Sequence, residues 1–378
     1  RYSIFYTDGS IENLTADKVA FPNSSQVTFS NIATNTKTIA AINATFVKNT
    51  VQSKSKIYTR STRVNIDKST TKISGVTTSI QDGLTYSAFY GTRVQDEEIC
   101  INFPDAVKVL AIYESLNTDE PVEDRLVFST LVDTDTNVII GENLLGSTSN
   151  TYARVVSKPS ANTVGIVYLT NSRFEVDEVV TFEESNIITN IENITIGAFK
   201  DISNKYTLDK AQKKQYYDYS RIVRRSGESA PAKKVSVFFD HYTVPAGDEG
   251  DVFTVNSYDE ERFEYDIPSI ETVRATDTLD FRPRVSQFTS TSQSPFDFDA
   301  RNFGTSPKIL MAPNEGAILG YHYYLGRIDK LLLNKNGEFV IVKGEASKSP
   351  KPPSNPDQSM ELATLVYPPY LYNPSNIG

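Results

Sequence analysis

The chain has 378 residues, and its 47 Asp and Glu outnumber its 38 Lys and Arg, which gives a formal charge of −9. This acidity argues against a nucleic-acid-binding protein, because phosphate contacts require clustered positive charge. A single cysteine excludes an internal disulfide, and two histidines without a second cysteine exclude the usual structural zinc sites. No apolar run approaches the ~20 residues that span a bilayer, so we expect no membrane insertion.

The composition favours a β-protein. The chain contains 21 Tyr and 20 Phe but no Trp and only 2 Met. Aromatic and β-branched side chains suit a pleated, half-buried surface. The length predicts two or three domains at about 150 residues each. Because the first residue is Arg1 rather than Met, we expect the chain to be a processed or excised part of a longer polypeptide.

Short strands separated by polar turns predict tandem β-sandwich-like domains. Residues Thr62–Asp67 alternate polar and apolar side chains, as a strand with one solvated face does. Val107–Tyr113 and Val164–Leu169 are more apolar strands, and turn signals recur every ~8–12 residues. The predicted regions are an N-terminal β-domain over 1–93, an immunoglobulin-like β-sandwich over 94–200, a helix plus β-domain over 201–346 and a Pro-rich extended C-terminal segment over 347–378.

One connecting helix is predicted, over about 206–225. Thr207 is a suitable N-cap, and Arg224 and Arg225 lie in the last turn, where positive charge favours the helix dipole. Apolar side chains recur at spacings of three and four. We interpret the basic stretch Arg221–Arg225 as a salt-bridged face of this helix, and not as a nucleic-acid patch.

The region after residue 280 predicts a long irregular loop and then a hairpin. Residues 281–313 contain too many turn formers for a long regular element, which favours a wrapping or contact-making loop. Asn334–Gly337 separate two apolar stretches and predict a β-hairpin. Its second strand, Phe339–Val342, is apolar on both faces, so we expect it to be central or covered. Ser347–Pro353 predicts a stiff extended linker.

Paired acids are the first candidate chemistry, because glycoside cleavage requires only two carboxylates. Asp297 and Asp299 would share one face if their segment were a strand, and Asp280 is a further candidate. Nearby arginines favour another interpretation, in which ion pairs pin irregular backbone. These arginines are Arg282, Arg284 and Arg301. We therefore expect a structural role for these acids and assign no catalytic residue.

Two acidic turns resemble cation-binding loops only in part. Asp133–Asn137 begins like a calcium loop, but Val138 occupies the place of the turn glycine, and no Glu closes the loop at position twelve. Asp248–Asp251 is a second acidic turn. Solvated loops are the favoured interpretation of both, so we assign no metal and no cofactor.

Cysteine and histidine are often reactive in enzymes, but the sequence around them in this chain favours structural roles. Cys100 lies between Ile99 and Ile101 in a predicted strand, which indicates a buried and inert thiol. His322 lies between two tyrosines and is interpreted as a half-buried strand residue, since no motif places a nucleophile beside it. The sequence lacks the nucleophile-elbow, P-loop and dinucleotide-binding motifs.

The second half of the chain contains a series of sequence blocks over roughly residues 200–355. They are Tyr206–Asp209 with Gln212, Tyr217-Asp218 and Arg221, then Phe239–Tyr242, Asp251–Tyr258, Ile267-Pro268, Asp280–Arg284, Tyr324–Asp329 and the segment 344–353. In this order, the blocks resemble those of large virion structural proteins of T4-like tailed phages that infect cyanobacteria and other marine bacteria. Asp280–Arg284 and Tyr324–Asp329 are the most specific blocks, because neither follows from composition.

The resemblance implies a domain of unknown function in tail, baseplate or fibre-associated proteins, and it brings no catalytic residues. The residues of the most specific block suit a mechanical role. Pro283 fixes φ, and the Arg282 and Arg284 guanidinium groups can each grip a carboxylate, so this block is expected to lock a bend.

We therefore predict a structural protein of the phage tail, in the baseplate or an attached fibre, with a non-catalytic scaffold or attachment role. Its expected partners are other virion tail proteins and copies of itself, with a host-surface glycan as a further possibility and no nucleic acid. Its expected location is the virion, after assembly in the host cytoplasm. The alternatives are a carbohydrate-binding or carbohydrate-cleaving tail protein and a bacterial surface adhesin.

Overall fold

The computed structural model describes residues 2–23, 26–33, 36–45, 47–67, 72–73, 76–77, 89–130, 137–262, 265–303 and 316–378. The chain is 43% strand and 7% helical, which confirms the predicted mainly-β fold. The strands are β1 Tyr2–Tyr6, β2 Ile11–Leu14, β3 Val19–Asn23, β4 Gln26–Phe29, β5 Ile39–Ala44, β6 Ile57–Ile66, β7 Lys72–Ile73, β8 Val76–Thr77, β9 Glu98–Pro104, β10 Ala106–Ser115, β11 Asp124–Phe128, β12 Asn143–Gly146, β13 Tyr152–Ser160, β14 Thr163–Tyr168, β15 Val179–Phe182, β16 Ile188–Thr195, β17 Phe199–Asp201, β18 Tyr206–Asp209, β19 Tyr219–Arg224, β20 Val235–Thr243, β21 Ser269–Ile270, β22 Val273–Arg274, β23 Arg327–Asn334, β24 Phe339–Val342 and β25 Ser359–Tyr367.

Helical structure in the described residues consists of single 3-10 turns. They span Ala16–Lys18, Ser203–Lys205, Val255–Ser257, Glu260–Arg262, Ala275–Asp277, Phe298–Ala300 and Pro374–Asn376. No helix in these parts of the chain is long and apolar enough to cross a membrane.

The chain divides into two compact units. The smaller one consists mainly of residues 1–52, and the larger one contains 53–310 and 321–378. In the smaller unit, β1 lies between β2 and β5 in an antiparallel sheet. Ile4 and Tyr6 of β1 are buried, because their alternation along the strand turns them to one face.

A four-stranded sheet forms the centre of the larger unit, in the order β17-β10-β20-β6. Every residue of β20 from Val235 to Tyr242 is buried, since the strand lies between two others and is covered on both faces. Val237 and Phe239 on one of its faces pack in the main hydrophobic core with Val64 and Ile112. The central sheet therefore fixes the positions of segments that are far apart in the sequence.

A closed barrel lies in the region where the sequence predicted an immunoglobulin-like sandwich. Its six strands follow the order β11-β14-β13-β12-β15-β16, within residues 124–195. Alternate side chains such as Leu126, Val155 and Phe182 fill its interior. Strands β9 and β10, which precede the barrel, pair with β19 and β20 instead. Alternation along each strand indicates one buried face, but it does not distinguish two open sheets from a closed one.

The helix predicted over 206–225 is wrong, because this segment forms two antiparallel strands, β18 and β19. β19 also pairs with β9. The chain turns between the strands at Ala211, whose φ of 51° lies in the left-handed region. Across the hairpin, the Arg221 guanidinium donates to Asp209 at 2.8 Å. The spacings of three and four came from Leu208, Ala211, Gln215, Tyr219 and Ile222. Tyr219 and Ile222 also favour strands, so the pattern was ambiguous.

The irregular region predicted from residue 281 is confirmed for the described part, 281–303. This segment contains no strand and only one 3-10 turn. It lies over β9 and β19, where Val285 and Phe288 bury Cys100 and Tyr219. Residues 304–313 of the prediction lie outside the described residues.

The carboxyl-terminal sheet has the order β24-β23-β25. The predicted hairpin is confirmed, with Gly337 at a φ of 80° in the turn between β23 and β24. The expectation that Phe339–Val342 is central or covered is wrong, since β24 is an edge strand and Phe339 is 73% exposed. The segment predicted as Pro-rich and extended also contains β25, which pairs with β23 along its length.

Candidate functional site

A fully buried lysine lies at the centre of the larger unit. The Lys56 ammonium is enclosed by four aromatic rings, at 4.6 to 5.5 Å from their centroids. The rings belong to Tyr217, Tyr242, Phe253 and Tyr258. Burial lowers the pKa of Lys56, while the nearby Asp105 carboxylate opposes this shift. The aromatic faces stabilise a cation that has no contact with water.

Asp105 supplies the countercharge for this lysine. Its carboxylate accepts a bond from Lys56 Nζ at 2.6 Å, and both side chains are completely buried. The second carboxylate oxygen accepts a bond from Gln212 at 2.8 Å. Asp105 lies between β9 and β10 with a φ of 61°, a strained conformation that the surrounding contacts hold in place.

Asp280 and Arg282 form a second pair against the same rings. The Arg282 guanidinium donates to both carboxylate oxygens and lies 4.1 Å from the centre of the Tyr217 ring. The Tyr217 hydroxyl also donates to Asp280. Burial alone would raise the pKa of Asp280, but Arg282 and Tyr217 hold it below its ordinary value. Arg284 donates to the Tyr242 carbonyl at 2.6 Å.

These contacts bring together sequence blocks that resemble those of the phage proteins. We call the group of Lys56, Asp105, Tyr217, Asp280 and Arg282 the buried charge network. The predicted grip on a carboxylate is confirmed for Arg282, and Arg284 donates to a carbonyl. The predicted bend is not seen, because residues 281–283 form neither a turn nor a bend. Sequence reasoning missed Lys56 and Asp105. Neither belongs to a motif, and only the strand pairing brings them within reach of the later blocks.

The block Phe239–Tyr242 contributes a further buried acid. Asp240 accepts bonds from the Ser61 N–H at 2.8 Å and the Tyr58 hydroxyl at 3.1 Å. The Lys108 and Arg154 cations each lie 3.7 Å from its carboxylate. Asp240 therefore fastens β6, β10 and the barrel strand β13 to the central strand β20.

The candidate acids do not form one site. Asp280 is 3% exposed and is occupied by Arg282 and Tyr217. Asp297 and Asp299 are both exposed, and the strand on which they would share a face is replaced by a 3-10 turn. Arg301 pairs with Asp218 through two bonds of 2.8 and 2.9 Å instead of with either of them. The prediction that ion pairs hold irregular backbone in place is therefore confirmed for Arg301.

The basic stretch Arg221–Arg225 is paired as predicted, although it lies on a strand. Arg221 contacts Glu98 at 2.6 Å and Asp209 at 2.8 Å. Arg224 donates to the carbonyl of Asp96 at 2.9 Å. These bonds join β9, β18 and β19 into one sheet.

Cys100 and the two histidines occupy different environments. Cys100 is buried on β9, where burial raises the pKa of its thiol to about 12, as expected for an inert cysteine. His322 is exposed in a segment without regular structure, so the predicted strand placement is wrong. His241 is buried on β20 between the Phe103 and Phe239 rings, and burial lowers its pKa to about 4.

The acidic turns provide no metal site in the described residues. Asp248 accepts bonds from the N–H groups of Ser55 and Gly250. Residues 133–136 of the other turn lie outside the described part of the chain. Among the residues that are described, no cluster of His, Cys, Asp and Glu side chains has the composition to hold a metal ion.

The carboxyl-terminal sheet exposes a large apolar surface. Phe339, Ile341 and Met360 are 73%, 52% and 64% exposed. Strand register places all three on one face, which we call the open face, because directly opposed residues of antiparallel strands share a face. Leu331 and Leu333 of the central strand lie between them. An apolar sheet face of this kind commonly marks a contact with another molecule.

Exposed tyrosines precede this sheet in the sequence. Tyr321, Tyr323 and Tyr324 are all exposed, with the first two rings 5.8 Å apart. Tyr324 packs edge-on against Tyr370 at 5.9 Å. We call these four residues the tyrosine cluster.

A comparison with known protein families finds a match in the carboxyl-terminal region. Residues 300–374 match a family described as a domain of unknown function, DUF4815. The match includes the block Tyr324–Asp329 and the whole carboxyl-terminal sheet. No curated protein and no solved structure matches the chain.

Proposed function

We propose that this chain is a non-catalytic structural component of a phage tail, located in the baseplate or a fibre attached to it. The observation that carries this proposal is the placement of the resembling blocks. Within these blocks, Tyr217, Asp240 and the Asp280–Arg282 pair direct their polar groups into buried hydrogen bonds. Residues used in this way maintain a shape, because their polar groups are occupied by each other.

The exposed surfaces support a role in assembly. The open face of the carboxyl-terminal sheet presents Phe339, Ile341 and Met360, which a neighbouring subunit would shield from water. Other tail proteins and copies of this chain are the proposed partners. The proposed location is the virion, after assembly in the host cytoplasm.

Particles purified from a phage that encodes this chain test the proposal. Mass spectrometry of these particles is expected to detect the chain. Electron microscopy with a gold-labelled antibody against the carboxyl-terminal sheet is expected to label the tail. Purified particles that lack the chain, or label found only on free protein, would overturn the proposal.

Glycan binding is a second candidate function, favoured by the tyrosine cluster. Exposed aromatic rings suit sugar binding, since their faces stack on apolar ring surfaces. Titration with host polysaccharide is expected to show binding that Tyr321→Ala with Tyr323→Ala removes. Phe298→Ala, which alters an exposed aromatic residue elsewhere, is the control and should leave binding unchanged.

Polysaccharide cleavage by the same preparation would instead favour the enzyme alternative. Activity that is lost in Asp297→Asn, or in an Asp280→Asn variant that circular dichroism shows to be folded, would overturn the non-catalytic proposal. The adhesin alternative predicts a secretion signal and a cell-wall anchor in the full gene.

A further inference from the structure

We propose that β24 pairs antiparallel with β24 of a second copy of this chain, about a two-fold axis through Val340. This inference deepens the proposed function by naming one contact between copies. Strand β24 has a partner on one side only, because β23 is its single neighbour in the sheet. A regular apolar edge strand of this kind is a template for pairing with another chain.

Backbone N–H and C=O groups of β24 point in the direction that such pairing requires. At the end of the hairpin, the Asn334 N–H donates to the Glu338 carbonyl at 3.0 Å. Bonded and non-bonded pairs alternate along antiparallel strands, so Val340 also bonds towards β23. Phe339 and Ile341 consequently direct their N–H and C=O groups away from β23, towards the open edge. Within the described part of the chain, neither residue has a backbone bond on that side.

The two edges of this sheet differ, and the β24 edge is the one better suited to pairing with another chain. The outer edge of β25 is occupied at Val366, near the end of the strand, which exchanges backbone bonds of 2.8 and 3.1 Å with Gly378. The register of β25 also shifts between its pairs with Leu331 and Leu332, and irregularities of this kind protect an edge. Strand β24 has a regular register and carries no charged residue or proline between Phe339 and Val342.

Charge complementarity identifies a second copy as the occupant. With Val340 on the axis, Phe339 lies opposite Ile341 of the second copy, so the two most exposed apolar side chains of β24 shield each other. The antiparallel arrangement also brings the hairpin turn of one copy, which contains Lys335, to the segment after β24 of the second copy, which contains Glu345. Both residues are exposed.

Other registers fit less well. Directly opposed residues must both face the open edge or both face away from it. An axis through Ile341 satisfies this condition, but it places Phe339 opposite Lys343 of the second copy. An axis between Val340 and Ile341 places Phe339, which faces the edge, opposite Val342, which faces β23.

The association state of the purified chain tests the proposal. Sedimentation velocity over a range of concentrations is expected to show a dimer. Ile341→Pro removes an N–H directed at the open edge and leaves the bonds to β23 intact, so it is expected to weaken dimerisation by at least about a hundredfold. Circular dichroism verifies that this variant keeps its strands.

Charge exchange tests the register in variants that do not alter β24. Lys335→Glu and Glu345→Lys are each expected to weaken dimerisation about tenfold, because each places like charges together twice across the axis. The double variant is expected to restore it. A monomeric wild-type chain, a dimer that Ile341→Pro leaves unchanged, or a double variant that stays weak would overturn the pairing. Detection of the chain in particles is independent of these results, so the proposed function and the pairing can fail separately.

Discussion

Asp280 and Arg282 are two residues apart in the chain, and the guanidinium donates to both oxygens of the carboxylate, at 2.9 and 2.7 Å. Residue pairs at this spacing on a regular strand point to the same face and are separated by a full pleat. Here the backbone is irregular, and the Arg282 N–H also donates to the Asp280 carboxylate at 3.0 Å. The ion pair and the irregular backbone therefore depend on each other.

Replacement of Asp280 tests this dependence. Asp280→Asn leaves the buried Arg282 without its countercharge, and we expect a loss of about 3–5 kcal/mol in the free energy of unfolding. Denaturation by urea, followed by circular dichroism, measures this loss. Asp297→Asn alters an exposed acid nearby in the sequence and should change stability by less than about 0.5 kcal/mol. Similar effects of the two variants would contradict the structural role of Asp280.

A second prediction concerns Lys56 and Asp105. Lys56→Met keeps the volume of the side chain but leaves a buried carboxylate unpaired, so we expect a loss of about 3–5 kcal/mol in stability. Addition of Asp105→Asn should recover part of this loss, because it removes the unpaired charge. Equilibrium denaturation of the single and double variants measures the coupling. Lys214→Met, at an exposed ion pair with Glu271, is the control and should have little effect.

The pH dependence of stability is predicted from His241. Its pKa falls from about 6.5 in the unfolded chain to about 4 in the folded protein, because it is buried and lies near Arg284; Asp105 opposes the shift. The unfolded state therefore binds more protons between these values. The contribution of neutral His241 is complete above pH 6.5 and is lost as the pH falls through about 4, by at most about 3 kcal/mol.

Thermal unfolding between pH 7 and pH 4 measures this change. We expect His241→Phe, which suits a position between the Phe103 and Phe239 rings, to reduce the loss of stability in acid. The exposed His322 provides the matched control, since His322→Phe should leave the slope unchanged. Equal slopes for the wild type and His241→Phe would show that other groups cause the acid sensitivity.

The buried position of the single cysteine leads to a prediction about its reaction with thiol reagents. Cys100 is buried and its pKa is raised to about 12, so little thiolate exists at pH 8. We expect a thiol reagent such as Ellman's reagent to modify the native chain at least about a hundredfold more slowly than the urea-unfolded chain. Val285→Ala, which thins the cover over Cys100, should increase the native rate. Rapid labelling of the native chain would contradict the buried position.

Local patterns predicted the strands well. The alternation at Thr62–Asp67 corresponds to the end of β6, and the apolar stretch Val107–Tyr113 lies in β10. The hairpin at Asn334–Gly337 was also predictable, because Gly337 supplies the positive φ that the turn requires. Such features depend on neighbours in the sequence, and the residue types alone indicate them.

Features that depend on distant residues were missed. The segment 206–225 contains the spacings of a helix, yet β19 is held by its pairing with β9, more than a hundred residues earlier. The grip of Arg282 on a carboxylate was predicted from the residue types, whereas the contacts with Tyr217 and the cage around Lys56 were not. Only the strand order of the central sheet brings these residues together.

The pairing of β6 with β20 has a consequence for synthesis. About 180 residues separate the two strands, so β6 leaves the ribosome roughly 9–36 s before its partner exists, at translation rates of about 5–20 residues per second. During this interval its alternating Val64 and Ile66 side chains cannot be buried in the core that they later share with β20. Folding of the central sheet therefore begins with a delay. During this delay the nascent β6 strand is either shielded by a chaperone or stays unpaired until β20 has been synthesised.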